Sequence, residues 1–93
     1  MTVEFTTRAR EEWSEAVDYY NEQRAGLGYE FVLEVERAIE RVTQFPEAWA
    51  KIAPRTRRIL LDRFPYGVLY YPEADRIVVT AVMNLRKKPE ARK

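Results

Sequence analysis

Hydrophobic residues in the first half of the chain repeat with the spacing of an α-helix. In two stretches they recur every three or four residues, which places them on one face of a helix. The first face comprises Ala9, Trp13, Ala16, Val17 and Tyr20, and the second comprises Phe31, Val35, Ala38, Ile39 and Val42. The pattern predicts two helices, each with one face against a core.

Capping and breaking residues mark the ends of these helices. Thr6 or Thr7 can cap the first helix, because a hydroxyl oxygen accepts a hydrogen bond from an unpaired N–H of the first turn. Gly26 and Gly28 are predicted to supply a helix C-cap and a tight turn, and Pro46 ends the second helix. Because the link is short, the two helices should form an antiparallel hairpin.

Charged residues occupy the opposite faces of both predicted helices. They are Glu15, Asp18, Glu22, Glu34, Arg37, Glu40 and Arg41. Ion pairs on an exposed helix contribute only about 0.2–0.5 kcal/mol each. We interpret these residues as solvent-facing and not as catalytic acids.

Strand-like runs occupy the second half of the chain, where the hydrophobic period changes to two. They cover residues 57–62, 67–71 and 76–83, and a short alternating run at Thr2–Phe5 precedes the helices. Residues 72–75 form a tight connection, so the last two strands should pair as a hairpin. The last run is apolar on both faces, which is typical of a central strand.

The order of the elements is therefore β-α-α-β-β-β. It predicts an α+β fold in which a helical hairpin packs on a mostly antiparallel four-stranded sheet. The 93 residues suit one domain, which we place at residues 1–93.

Composition narrows the chemistry that this chain can perform. It has no Cys, which excludes disulfides and thiolate metal sites, and no His, the commonest general base and metal ligand. No phosphate-binding loop or metal motif occurs, so we expect no cofactor and no metal. The chain has neither a spanning apolar run nor the pattern of a signal peptide, so we expect a cytoplasmic protein with no membrane partner.

Charge is divided unequally between the two halves of the chain. Residues 1–47 contain five Arg and no Lys against eleven Asp and Glu, a net charge of −6. Residues 48–93 contain eleven Lys and Arg against four Asp and Glu, a net charge of +7. The asymmetry indicates either that the basic half meets an anionic partner, or only that the strands carry Arg where the helices carry Glu.

The basic residues cluster near tyrosines. The basic ones are Arg55, Arg57, Arg58 and Arg63 before or on the first long strand, and Arg86, Lys87 and Lys88 after the last. The tyrosines are Tyr66, Tyr70 and Tyr71. Cations interleaved with aromatic rings are typical of nucleic-acid-binding surfaces. The alternative is charge that protects sheet edges and keeps the protein soluble.

Two segments together resemble the RelE/ParE superfamily of bacterial toxins. RFPYGVLYYPEADRIVVTAVMNLRKKP, residues 63–89, is similar to the second half of that family, with its strand pair, charged turn and basic segment ending in Pro. GLGYEFVLEVERAIERVTQFP, residues 26–46, resembles the ParE-like, plasmid stabilisation branch. The resemblance covers nearly the whole chain and implies the same β-α-α-β-β-β order.

This resemblance implies the toxin of a type II toxin–antitoxin module. A cognate antitoxin would fold on the toxin surface, bring it to operator DNA and allow a toxin–antitoxin heterotetramer. ParE-like members inhibit DNA gyrase, whereas RelE-like members cleave mRNA on the ribosome. A third alternative is a non-toxic relative that acts as an interaction module or co-repressor.

Departures from the nuclease pattern favour the gyrase inhibitor. Gly67 stands where those nucleases often have an arginine, and Arg58 and Leu60 stand where they have lysines. Asn84 replaces a histidine used by other members, and the terminal tyrosine has no counterpart. An arginine does not readily give up its proton, so Arg58 is a poor base.

The sequence thus yields two sets of candidate site residues. For binding a target or the antitoxin they are Arg58, Arg63, Tyr70, Arg86, Lys87 and Lys88. If the chain were a nuclease, the catalytic set would be Arg58, Arg63, Arg86 and Lys87. Neither set contains a side chain that would readily accept a proton from a substrate.

Overall fold

The predicted order of elements is confirmed by a computed structural model, which describes residues 1–86. The elements are β1 Thr2–Phe5, α1 Thr7–Gln23, α2 Leu27–Gln44, β2 Arg57–Leu60, β3 Tyr66–Pro72 and β4 Arg76–Asn84. Within these residues no helix combines the length and the apolar character needed to cross a bilayer.

Thr6 fixes the start of α1 and joins it to the sheet. Its hydroxyl oxygen accepts a hydrogen bond from the Ala9 N–H at 3.1 Å, which confirms the predicted cap. The same hydroxyl lies 3.3 Å from the Thr80 carbonyl oxygen, and the Thr6 N–H donates to the Val79 carbonyl at 3.0 Å. The helix therefore begins at a position set by β4.

Of the two glycines of the helical link, one makes the predicted tight turn and the other does not serve as the predicted C-cap. Gly26 has a φ of 87° and precedes α2, so it makes the turn. Gly28 is a buried residue inside α2, and its N–H donates to the Asn21 side-chain oxygen at 2.9 Å. A Cβ at Gly28 would lie 2.6 Å from both the Asn21 side chain and the Val17 carbonyl oxygen. Gly28 is therefore needed because the helices approach closely there.

The sheet has the strand order β1-β4-β3-β2 and is mixed. β3 pairs antiparallel with both β2 and β4, whereas β1 runs parallel to β4. The mostly antiparallel sheet, the β3–β4 hairpin and the central position of the last strand are confirmed. Because β2 and β4 both run antiparallel to β3, β1 also runs in the direction of β2, and the helical hairpin with the loop after it connects these two edge strands.

The helices cover one face of the sheet and enclose an aromatic cluster. Phe31 is fully buried, and its ring lies 5.3 Å from Tyr20, 5.0 Å from Phe64 and 4.9 Å from Tyr66, centroid to centroid. Aromatic pairs at this spacing add to the free energy of simple burial. The cluster joins both helices to the start of β3.

We expect Gly28→Ala to destabilise the fold by about 1–3 kcal/mol, the usual cost of overpacking. The added methyl group meets a backbone carbonyl, which cannot move without shifting α1. Urea unfolding followed by circular dichroism measures the change.

The matched control is Gly26→Ala, where a Cβ would have nothing within 4 Å and only the left-handed φ is strained. We expect a cost of about 1 kcal/mol there. Equal costs at the two positions would contradict a special role for the helix contact at Gly28.

Candidate functional site

Arg63 and Arg86 line one cleft at the end of the helical hairpin. The cleft has a volume of about 390 Å³. Its lining residues are Tyr19, Tyr20, Leu27, Arg63, Phe64, Pro65, Asn84 and Arg86. We call it the hairpin-end cleft. It brings together the loop before β3, the end of β4 and the region where α1 meets α2, segments that are distant in the sequence.

Two carboxylates of α2 hold Arg63 at the edge of the hairpin-end cleft. Glu34 accepts a hydrogen bond from the Arg63 backbone N–H at 3.0 Å, and Glu30 accepts one from the guanidinium at 2.6 Å. The guanidinium carbon also lies 5.4 Å from the Phe64 ring centroid. The Arg63 side chain remains 58% exposed, so it is both positioned and available.

Glu34 corrects the predicted solvent face of α2. It is 8% exposed, and its carboxylate serves the loop before β3 instead of facing water. Helical periodicity could not separate Glu34 from its exposed neighbours, because the partner of this carboxylate is a backbone N–H 29 residues further along the chain.

Backbone contacts hold Arg86 on the other side of the cleft. The Leu85 N–H donates to the Pro65 carbonyl at 2.8 Å, and the Arg86 N–H donates to the Asn84 side-chain oxygen at 2.9 Å. Arg86 is exposed and makes no ion pair with any of residues 1–86. Within the described part of the chain, its positive charge is therefore available to an anionic partner. Lys87 and Lys88 lie outside the described residues.

Tyrosines in the cleft, beside it and deeper in the core are hydrogen-bond donors and not bases. Burial raises the pKa of Tyr20, the neighbouring Tyr19 raises it further, and Arg86 lowers it in part. Burial also raises the pKa of Tyr66 and Tyr70. These three hydroxyls are therefore protonated at neutral pH and are poorly suited to accept a proton from a substrate.

Tyr70 does not lie on a surface, contrary to its place among the candidate binding residues. It is fully buried, and its hydroxyl donates to the Pro46 carbonyl at 2.8 Å. The side chain fastens the end of α2 to the sheet. Tyr66 is also buried, so neither ring offers the stacking face that the sequence suggested. Alternation along a strand does not reveal which face the helices cover.

Arg58 lies on the opposite face of the sheet from the helices. It precedes the buried Ile59 on β2, so its side chain points away from the helices and lies beside Gly67 of β3. We call this side of the sheet, which no helix among residues 1–86 covers, the open face. The buried side chains of Leu69, Val78 and Ala81 also belong to this face. The structure therefore separates Arg58 from the pair Arg63 and Arg86.

Arg55 and Arg57 are used within the fold. Arg57 donates to the carbonyls of Glu47 and Trp49 at 3.1 and 2.8 Å, which orders the loop before β2. Arg55 lies 3.3 Å from the Glu73 carboxylate and 5.0 Å from the Tyr71 ring centroid. These contacts favour a structural role over a nucleic-acid contact for both arginines.

Sequence reasoning missed Tyr19, Tyr20, Glu30 and Glu34 as parts of the site. Tyr19 is 54% exposed, and its ring lies edge-on to Tyr20 at 5.1 Å between centroids. The available signal was a tyrosine, Tyr19, that lies off the apolar face near the end of a helix. Among residues 1–86, no three His, Cys, Asp or Glu side chains are grouped so as to hold a metal ion.

Comparisons with known proteins identify the family of this chain and the fold that it shares with solved structures. The family model described as "ParE toxin of type II toxin-antitoxin system, parDE" matches residues 3–89. A chain of the chromosomal ParDE TA system from P. aeruginosa is similar in structure, with a TM-score of 0.80 and 16% identity over 92% of this chain and 97% of that chain.

The isolated E. coli RelE toxin is also similar in structure, with a TM-score of 0.68 and 18% identity over 98% of this chain and 89% of that chain. At such low identity, the likeness to these two structures shows a shared fold. No curated protein sequence matches the chain.

We expect the pKa of Glu30 to lie below its ordinary value, because its carboxylate accepts a hydrogen bond from Arg63 and also lies near Arg24. Arg63→Gln should raise this pKa, as measured by an NMR titration of the side-chain carboxyl carbon. The control is Arg24→Gln, whose guanidinium is more distant at 3.6 Å and should matter less.

The lowered pKa also sets the direction of the pH dependence of stability. A carboxylate whose pKa is lower in the folded state stabilises the fold above its unfolded-state pKa, and this contribution is lost as pH falls through the folded-state value. Arg63→Gln should therefore weaken the acid-side decline in stability. An unchanged Glu30 titration in Arg63→Gln would contradict this pairing.

Proposed function

This chain belongs to the family of ParE toxins of type II toxin–antitoxin systems, and we propose that it inhibits DNA gyrase by binding it. A cognate antitoxin neutralises this activity by folding on the toxin surface. We further propose that residues 1–93 act as one domain in the cytoplasm and reach operator DNA only through the antitoxin.

The strongest support for binding over catalysis is the chemistry of the open sheet face. Leu60 and Gly67, which replace cationic residues of the nucleases that the chain resembles, lie opposite each other on β2 and β3. Arg58 remains on this face but is a poor proton acceptor. Asn84 uses its side-chain oxygen to accept the Arg86 N–H. None of these groups supplies the general base that RNA cleavage requires.

The hairpin-end cleft is the contact surface that we propose for a partner. It presents the positioned guanidinium of Arg63 and the exposed side chain of Arg86 beside aromatic and apolar surface, a combination that anchors protein interfaces. An acidic side chain next to an apolar one would satisfy both features. We therefore expect the antitoxin to place acidic residues near Arg86, Lys87 and Lys88.

A ribosome-dependent mRNA endonuclease is the second candidate function. It is favoured by the retained Arg58, Arg63 and Arg86, because cations stabilise the charge that develops on a phosphate during cleavage. In this alternative the proton transfer would need a group beyond those described above. The non-toxic co-repressor is a third possibility, for which full growth on overexpression without antitoxin would be the signature.

We expect the purified protein to inhibit gyrase supercoiling of a relaxed plasmid and the antitoxin to reverse the effect. Arg63→Ala with Arg86→Ala should weaken inhibition by about tenfold, if each arginine contributes about 0.7 kcal/mol to binding. The control is Arg37→Ala with Arg41→Ala, which removes the same charge from the outer face of α2.

Unchanged supercoiling at a large excess of the protein would overturn the gyrase proposal. Primer extension on mRNA from induced cells distinguishes the second candidate, since a nuclease creates new 5′ ends. New ends together with unaffected gyrase would establish the endonuclease instead.

We also expect Arg86→Ala, Lys87→Ala and Lys88→Ala together to weaken antitoxin binding by about tenfold or more in about 0.15 M salt. The matched control removes three exposed positive charges from the helices by changing Arg10, Arg37 and Arg41 to Ala. Calorimetry measures both affinities. Equal losses in the two triple variants would show a non-specific effect of net charge and contradict a specific contact.

A further inference from the structure

Gly67 is a buried glycine whose backbone does not require glycine. Gly26 is the only glycine with positive φ in residues 1–86, so other residue types could adopt the backbone conformation of Gly67. Gly67 is the second residue of β3 and lies between Leu60 of β2 and Met83 of β4 in the sheet. A glycine weakens a strand at such a position, which often marks a place that another group approaches closely.

The approaching group is the side chain of Arg58. A Cβ placed on Gly67 would lie 3.1 Å from both the Cγ and the Cδ of Arg58, and 3.5 Å from a methyl carbon of Leu60. Carbon atoms in ordinary contact are about 3.5–4.0 Å apart. Leu60 would thus tolerate an added methyl group, whereas the aliphatic part of Arg58 would have to move.

The direction of the Arg58 side chain depends on this empty space. The partner of Arg58 in the β2–β3 register is Leu69, but its aliphatic part lies beside Gly67, two residues further toward the start of β3. Gly67 pairs with Met83, and β4 ends at the next residue, Asn84. The side chain therefore points to the end of the sheet where the chain leaves β4 and continues to Arg86.

We infer that Gly67 is a positioning residue for Arg58, because the absence of a side chain at Gly67 lets the Arg58 side chain lie across β3. We call this arrangement the seating of Arg58. It brings the guanidinium to a carboxylate of the antitoxin at this end of the open face. The seating of Arg58 is a property of the free toxin. Only the contact with the antitoxin rests on the function proposed above.

The seating is tested by NMR on the free protein. Nuclear Overhauser effects should connect the Arg58 γ and δ protons with the Gly67 α protons. In Gly67→Ala, the Arg58 Nε–Hε resonance should shift more than those of Arg55 and Arg57, and urea unfolding should show an intact fold. Absent Overhauser effects, or an unmoved Arg58 resonance in Gly67→Ala, would overturn the inference.

The contact is tested by a double-mutant cycle with the purified cognate antitoxin. Arg58→Met removes the charge but keeps an unbranched side chain over Gly67, and should weaken binding by about tenfold or more. Gly67→Ala should weaken it by about three- to tenfold in the wild type and by less than about twofold in Arg58→Met, since the two changes act on one group.

Each outcome of the cycle is decisive. Equal effects of Gly67→Ala in both backgrounds would overturn the positioning role, because the loss would not pass through Arg58. If Arg58→Met binds like the wild type, the proposed antitoxin contact of Arg58 is overturned, while the NMR result still decides the seating. Neither readout uses gyrase, so failure of the gyrase proposal leaves both tests intact.

Discussion

The backbone of β4 must be satisfied on both edges, and this constraint organises the rest of the structure. β1 pairs with β4 only as far as Phe5 and Val79, after which α1 takes over. Thr6 bonds the carbonyls of Val79 and Thr80, and the Glu12 carboxylate accepts the Val82 N–H at 2.8 Å. An unpaired buried N–H would cost about 1–3 kcal/mol. The first helix is thereby fixed on the sheet, and with it the hairpin and the cleft at its end.

Ion pairs between the two halves of the chain explain part of the charge asymmetry. Basic residues of the second half pair with acidic residues of the first half, as Arg63 does with Glu30 at 2.6 Å, and Arg76 with Glu4 at 3.2 Å. These contacts join the sheet to the elements that precede it. Part of the basic charge between residues 48 and 86 is thus paired within the fold, whereas Arg86 and the exposed part of Arg63 remain accessible to a partner.

The sequence predicted the fold more completely than it predicted the site. The resemblance to the RelE/ParE superfamily is confirmed, as are the order of elements and the central last strand. The structure places the predicted site residues in three different environments. Arg63 and Arg86 share one cleft, Arg58 lies on the other face of the sheet, and Tyr70 is inside the core. Period-two patterns place side chains on alternating faces, but they do not say which face the helices cover.

Local rules by themselves determined the helices, the strands, the Thr6 cap and the absence of histidine and cysteine chemistry, because periodicity, capping and composition act over a few residues or none. Only the tertiary structure decided that Gly28 serves helix packing, that Glu34 is buried on a backbone N–H, and that Gly67 makes room for Arg58. Each depends on a partner that is distant in the sequence or on a neighbouring strand. Such contacts are set by how the elements pack, which no local pattern encodes.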